Sequence, residues 1–320
     1  MYKNKKILVT GATGMIGSHL SELLLEKGAD IRILLHKRPL PKELQGKDLE
    51  IIHGDLTEKP IAENAVKGVD FVFHLAAFTG GLGRTSKHPA STLTPNLEMD
   101  GNILEASKNE GIERLLYASC ACIYPNSDKD LAEDDAWNGE PPEAHASYSW
   151  AKRIGELQAR SYAKEFGMKI AIVRPSNSFG PRDNFDSESS HVIGALIIKA
   201  SKHLNPFPLW GDGSPIREFI YARDAAEGMI SALENYYNAD PINLASGESC
   251  SITDLAKKII SLFNYNPKIE FDTSKPSGQK RRVLSNHKSE KVIGFKAKTT
   301  LDEGLKKTIT WYKQNYRENK

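Results

Sequence analysis

The 320-residue chain predicts a doubly wound α/β fold: a parallel sheet covered by helices on both faces, with a smaller, more irregular part towards the C-terminus. Three observations carry that expectation. Six runs, "KILVT" (6–10), "DIRILL" (30–35), "LEIIHGDL" (49–56), "DFVFHLAA" (70–77), "RLLYAS" (114–119) and "KIAIVRP" (169–175), are largely apolar over five to eight residues, as strands buried on both faces must be. Helical patterns such as "MIGSHLSELLLEKG" and "GELQARSYAKEFG" lie between them, each closed by a glycine that suits the position after a helix. The turn behind the first strand, "TGATGMIG", is rich in glycine. Alternating βα units of this kind give a Rossmann-type sheet.

The later elements follow in order. "FGPRDNFDSESS" and "NPFPLWGDGSPIRE" are rich in Gly, Pro, Asp and Ser and read as loops. "INLAS" (242–246) reads as a strand returning to the first sheet. "SITDLAKKIISLFN" reads as a helix with Ser251 as its N-cap, and "LDEGLKKTITWYKQ" as a closing helix. The expected organisation is a dinucleotide-type domain over 1–176, rejoined by 216–246, and a discontinuous second domain from 177–215 and 247–320. No repeat or low-complexity segment interrupts it.

Composition excludes several classes. The 43 Lys and Arg against 41 Asp and Glu leave a net charge of +2, which argues against nucleic-acid and membrane-surface partners. No apolar run reaches the roughly 18 residues of a membrane span, and the N-terminus lacks the apolar stretch and cleavage site of a signal peptide. Three cysteines suit a reducing compartment and a disulfide-free chain. The expected location is the cytoplasm.

Two motifs carry chemistry. Gly11, Gly14 and Gly17, placed between a strand and a helix, permit a tight turn, approach of a pyrophosphate to backbone amides, and close helix packing. An NAD site would place an acid about 20 residues on. This chain has His36, Lys37 and Arg38 there, cations that favour the 2′-phosphate of NADP(H). In "SYSWAKRIGE", Tyr148 and Lys152 stand four apart on one helix face. A phenol of pKa about 10 exchanges protons poorly at neutral pH, and the lysine, joined by an oxidised nicotinamide, would bias it towards its anion.

With these motifs in place, the chain resembles the extended short-chain dehydrogenase/reductases that act on nucleotide sugars. Within them it is similar to the branch that epimerises C3 and C5 and reduces C4 of a GDP-linked 4-keto-6-deoxyhexose. The resemblance spans nearly the whole chain and includes "GDL" (54–56), "HLAA" (74–77) followed by "GG" (80–81), "CIYP" (122–125), "GPRDNF" (180–185), "SHVIGAL" (190–196), "WGDGSPIREF" (210–219) and "SKPSGQKRR" (274–282). A second branch, which only inverts C3 and C5, shares "YASCACIYP" and "DAWNGEP" but is expected to carry lysine at His191.

The resemblance implies bound NADP(H). Gly11, Thr13, Gly14, Met15, Ile16 and Gly17 would lie at the pyrophosphate, and His36 and Arg38 at the adenosine ribose. Asp55, Leu56, Leu75, Ala76, Ala77, Ser119, Pro175, Asn177, Ser178 and His191 would line the remainder, with Tyr148 and Lys152 at the nicotinamide ribose. Tyr148 would be the acid at the C4 oxygen, and Cys122 and His191 the acid–base pair of epimerisation. Asn184, Lys199, Trp210, Arg217 and Arg282 would hold the nucleotide-diphosphate sugar. A homodimer through the helices around 95–110 and 148–166 is also implied. An epimerase-only or 4-reductase-only enzyme is the alternative. A silent cofactor-binding regulator would have no use for Tyr148 and Lys152 together.

Some positions depart from the family pattern. Cys120 stands where Ser or Thr usually donates to the reacting oxygen, and a thiol is a weak donor, so its role lies between packing and a weakened donor. Lys199 replaces an arginine, keeping the charge without the bidentate fork. Ser277 replaces an acid. A zinc pair at Cys120 and Cys122 would need two more ligands, whereas the third cysteine, Cys250, stands alone, so no metal is expected. A redox pair normally reads C-x-x-C, and C-x-C strains a disulfide. The two thiols are therefore expected free, on one face of a continuing strand. His19, His53 and His74 read as structural, and Cys250 as packing.

Overall fold

The computed structural model describes residues 1–80, 85, 87–187, 189–275 and 278–316; Gly81 and Ser277 lie outside them. The first lobe contains β1 (Lys6–Thr10), α1 (Met15–Glu26), β2 (Asp30–Leu35), β3 (Leu49–His53), α2 (Lys59–Val66), β4 (Phe71–His74), α3 (Pro89–Glu110), β5 (Arg114–Ala118), α4 (Ala146–Phe166) and β6 (Ile170–Pro175). Then come β7 (Asn177–Phe179), α5 (Val192–Ser201), β8 (Phe207–Trp210), β9 (Ile216–Tyr221), α6 (Ala222–Asn235) and β10 (Asn238–Leu244). The chain closes with β11 (Ser249–Ser251), α7 (Ile252–Ser261), β12 (Ile269–Asp272), β13 (Arg281–Arg282), α8 (His287–Ile293) and α9 (Leu301–Asn315).

Seven strands pair in the order β10-β6-β5-β4-β1-β2-β3, parallel throughout. Alternate side chains of β1 serve opposite cores, because a strand turns successive residues to opposite faces. Ile7 and Val9 join Leu20 and Leu24 of α1 and Met229 and Leu233 of α6. Leu8 joins Ile103 and Leu104 of α3. Each such side chain contributes about 1.5–3 kcal/mol on burial. β3 departs from the expectation of burial on both faces. It is the last strand of the sheet, its Ile51 is 41% exposed, and Glu50 bonds Lys6 at 2.7 Å and Arg32 at 2.8 Å, a charged cover for an open edge.

The expected return strand is β10, but the return begins at α6 rather than at residue 216. β9 pairs instead with β7, β11 and β13 in a smaller sheet. Its alternation joins the lobes: Ile220 packs into the first core, while Phe219 and Tyr221 pack with Phe179, Ile197, Ile259 and Leu305 in the second. The stretch after 247 is likewise divided, since Ile293 of α8 belongs to the first core. Ser251 caps α7 by accepting the Asp254 N–H at 3.0 Å, and Thr300 and Glu303 form a capping box on α9. No helix among the described residues is long and apolar enough to cross a membrane.

Candidate active site

The carboxyl ends of β1, β4, β5 and β6 converge where open α/β sheets bind ligands. The glycine turn follows β1. Gly11 has φ +72°, and a Cβ there would lie 2.8 Å from the Ala76 nitrogen; one at Gly17 would lie 2.2 Å from the Gly11 oxygen. Only glycine fits either place. Gly14 caps α1 without a side chain, which leaves the first amides of the helix facing outward as an anion site.

Beneath the turn runs a buried relay. Thr10 Oγ1 accepts the Leu75 and Ala76 N–H groups, both at 3.1 Å, and lies 2.8 Å from His74 Nδ1. With its lone pairs engaged, the hydroxyl donates to Nδ1, so the imidazole proton sits on Nε2. Nε2 donates to Asp100 at 2.9 Å, and the Tyr117 hydroxyl donates to the other Asp100 oxygen at 2.6 Å. Burial holds the His74 pKa below the ordinary imidazole value. Burial alone would raise the Asp100 carboxyl, but Lys152, His74 and Tyr117 together hold it below the usual range. Lys152 Nζ stands 3.8 Å from Asp100 Oδ1 and 4.7 Å from the Tyr117 ring centre, buried and with no hydrogen-bond partner among the described residues. Burial lowers its pKa, and Asp100 and Glu156 oppose that.

Tyr148 behaves differently from the sequence expectation. Burial and the Asp100 charge raise its pKa, opposed by a hydrogen bond from Thr79. The Lys152 charge is already matched by Asp100, so the phenol keeps its proton through neutral pH, the state of a general acid.

The neighbours of Tyr148 and Lys152 on α4 fix the cysteine segment. Ser149 Oγ donates to the Cys122 carbonyl at 2.8 Å, and Arg153 donates to the Ile123 carbonyl at 2.9 and 2.6 Å. Tyr124 donates to Asn243 at 2.6 Å and accepts from Arg174 at 2.8 Å, while Arg174 forks onto Glu156 at 2.8 and 2.7 Å. The strand does not continue here: β5 ends at Ala118, and 121–123 form a 3-10 turn capped by Cys120. That turn brings the two sulfurs into bonding contact, with Cα atoms 5.4 Å apart, inside the usual disulfide range. The expectation of a disulfide-free chain with two free thiols is thereby corrected. Cys250 is the free cysteine. Ser119 beside the pair is buried, and its hydroxyl is unpartnered among the described residues.

The second lobe contributes cations. His191 caps α5 and His145 caps α4, neither using its side chain for the cap. Burial, then the charges of Arg282, His191 and Arg217, lower His145 to about 4. Burial, then Arg282, lowers His191, although its side chain is open to the cleft. Arg282 and Arg217 are register partners on adjacent strands. Burial pushes both down to about 10, Arg217 adding to the effect on Arg282, and no carboxylate among the described residues acts on either. Neighbouring guanidiniums without an acid form an anion site.

The other expected residues divide. Lys199 donates to the Pro208 carbonyl at 2.9 Å and sits 5.9 Å from the ring centre of the half-exposed Trp210. Asn177 accepts from Arg282 and donates to the Glu218 carbonyl at 2.7 Å. Ser178 donates to Ser176, just beyond Pro175. His36 and Asp55 pair with each other at 3.2 Å, the Leu56 carbonyl accepts from Asn102, and Arg38 lies by Asp183. Asn184 bonds Ser189 at 2.9 Å and accepts the Asp186 N–H at 3.2 Å within its own loop. Sequence reasoning missed Asp100, Thr79 and His145. The signal for His145 was its place three residues before Tyr148, on the same helix face. The glycine cradle, the unpartnered Lys152 ammonium and Ser119 hydroxyl, and the cations at 36–38 fit a bound dinucleotide.

The profile of the NAD dependent epimerase/dehydratase family matches residues 7–245. The chain is 33% identical to the GDP-L-fucose synthase of Sinorhizobium fredii (strain NBRC 101917 / NGR234), over 98% of each chain. It is 30% identical to the GDP-mannose 3,5-epimerase of Arabidopsis thaliana, over 99% of this chain and 85% of that one. A solved GDP-L-fucose synthetase from Naegleria fowleri, bound to NADP, matches with a TM-score of 0.84 at 27% identity, covering 99% of this chain and 97% of that one. With its glycine turn, its parallel sheet and its Tyr148–Lys152 helix, the chain belongs to the NAD dependent epimerase/dehydratase family.

Proposed function

We propose that this protein inverts C3 and C5 of a GDP-linked 4-keto-6-deoxyhexose and reduces its C4 with NADPH, as an enzyme of the GDP-L-fucose synthase type. One observation carries the reading. His145, at the start of the helix that bears Tyr148, lies within reach of the charges of His191, Arg217 and Arg282, so the cations of the second lobe face the acid of the first. Full-length likeness to GDP-L-fucose synthases supports it.

NADPH bound along the glycine turn would supply a hydride to C4. The amides of Thr13, Met15 and Ile16 would take its pyrophosphate, Arg38 its 2′-phosphate and Lys152 its ribose. Tyr148 donates the proton to the C4 oxygen. Reduced Cys122 takes a proton from C3 or C5, whose hydrogens the C4 carbonyl acidifies, and His191 returns one to the opposite face. Arg217 and Arg282 hold the diphosphate, and that anion raises the pKa of His191 towards the range where it carries a proton. Trp210 offers an exposed indole to the base. An epimerase-only reading draws on Cys120, which lacks a hydroxyl, and on the likeness to GDP-mannose 3,5-epimerase. Against it stand Tyr148 and Lys152, the pair that reduction at C4 requires, together on one helix.

In this reading the enzyme is a cytoplasmic homodimer joined through α3 and α4, where Trp150, Leu157 and Phe166 are exposed; sedimentation as a monomer at assay concentration would remove the dimer. The function is tested with NADPH and a panel of GDP-, dTDP-, UDP- and CDP-4-keto-6-deoxyhexoses, followed by NMR of the product. A GDP-sugar inverted at C3 and C5 and reduced at C4 is expected. Turnover of another nucleotide alone, or inversion without reduction, would contradict the proposal.

A further inference from the structure

The Cys120–Cys122 pair lies at the end of β5, in the same cleft as Tyr148. Its sulfurs are in bonding contact, and both side chains are only partly buried. The backbone between them is anchored on both sides. Ser149 and Arg153 hold the carbonyls of Cys122 and Ile123, and Ala121, Ile123 and Tyr124 are buried in a small apolar cluster against Leu131, Ala136, Ala245 and Leu284. The anchored turn therefore holds the two sulfurs side by side. Cys250, the third cysteine, sits on β11, and burial pushes its thiol up to about 11, so it is a poor nucleophile.

We propose that Cys120 and Cys122 are a site of reversible thiol oxidation, in which the disulfide removes Cys122 from acid–base chemistry and so stops epimerisation while the dinucleotide site stays intact. The proposal rests on the reading of Cys122 as an epimerisation group. The oxidant is hydrogen peroxide. One thiolate attacks a peroxide oxygen, the O–O bond breaks, and hydroxide leaves as a sulfenic acid forms. The second thiolate attacks the sulfenic sulfur, the S–O bond breaks, and hydroxide leaves again. Two thiols and one peroxide thus give one disulfide and two waters. A small-molecule dithiol reverses the change by two thiol–disulfide exchanges and is itself oxidised.

The test starts from full-length enzyme, reduced with dithiothreitol and then freed of it. One sample is treated with an equivalent of hydrogen peroxide. Three things are read: the mass of the peptide containing 120–122, deuterium wash-in at C3 and C5 of a GDP-linked 4-keto-6-deoxyhexose, and NADPH binding. The peptide should lose two hydrogen atoms, with Cys250 still alkylatable, and wash-in should fall about a hundredfold or more. NADPH affinity should hold within about twofold, and dithiothreitol should restore both mass and wash-in. Cys120→Ser should show no loss of two hydrogens. A wild-type peptide that keeps its mass, or a disulfide that leaves wash-in unchanged, would overturn the proposal. If the reduced enzyme gives no wash-in, the epimerase reading fails and the switch fails with it, while the peptide mass still decides whether the pair oxidises.

Discussion

Replacing Asp100 by Asn tests the electrostatics beneath the catalytic helix. Asp100 is fully buried, and the change keeps its shape while removing its charge. At 3.8 Å and an effective dielectric near 20, its attraction for Lys152 is about 4 kcal/mol. Burial already lowers the Lys152 pKa, and Asp100, more than Glu156, raises it back. Without that charge, Lys152 loses its proton at lower pH. In the proposed reaction, reduction needs Lys152 charged at the cofactor ribose, so the alkaline limb of the kcat profile for NADPH oxidation should move to lower pH. Urea unfolding should show a loss of about 3–5 kcal/mol, the usual cost of orphaning one member of a buried pair. The assay is a pH series of NADPH oxidation beside denaturation curves for both proteins. A destabilised variant with an unmoved alkaline limb would make Asp100 a packing residue and refute the reasoning. Gly155→Ala should act on the same relay from the other side, since its Cβ would meet Tyr117 Oη and Asp100 Oδ2, the latter at 2.6 Å.

Tyr148→Phe should lower NADPH oxidation by about 10²–10⁴-fold with NADPH affinity nearly unchanged, as titration of cofactor fluorescence would measure. Wild type should bind NADPH at least about tenfold tighter than NADH, about 1.4 kcal/mol, and Arg38→Glu should shrink that gap; equal affinities in the wild type would contradict the assignment of 36–38. Asp183 supplies a pH test. Burial raises its carboxyl to about 7 from the ordinary value of 3.8, so the contribution is full below pH about 4 and is lost as pH rises through 7, at most about 4 kcal/mol. Asp183→Asn should therefore gain stability relative to wild type between pH 4 and 8, and unfolding curves that stay parallel across that range would exclude the effect.

The parts legible in the sequence are those set by local pattern. Continuous apolar runs identify the sheet because parallel strands such as β1 and β6 bury both faces, and the glycine spacing identifies the turn because backbone crowding at Gly11 and Gly17 admits no side chain. What escaped depends on long-range meeting. Asp100 reads as a polar residue on a helix until the fold sets it against His74, Tyr117 and Lys152. Cys120 and Cys122 look like alternate positions of one strand, but the strand ends at Ala118 and the turn behind it brings the sulfurs together. The β9 boundary failed because a strand shared by two cores carries apolar residues for both.

The central claim is that Cys122 and His191 exchange protons at C3 and C5. Its most direct measurement is deuterium wash-in from D2O into a GDP-linked 4-keto-6-deoxyhexose, without NADPH, using reduced wild type, Cys122→Ser and His191→Asn. Wild type should exchange both positions, and each variant should lose about a hundredfold or more at one position at least. Wild-type exchange that Cys122→Ser leaves untouched would take the cysteine out of the mechanism, and no exchange by wild type on a sugar that it reduces would leave a plain 4-reductase.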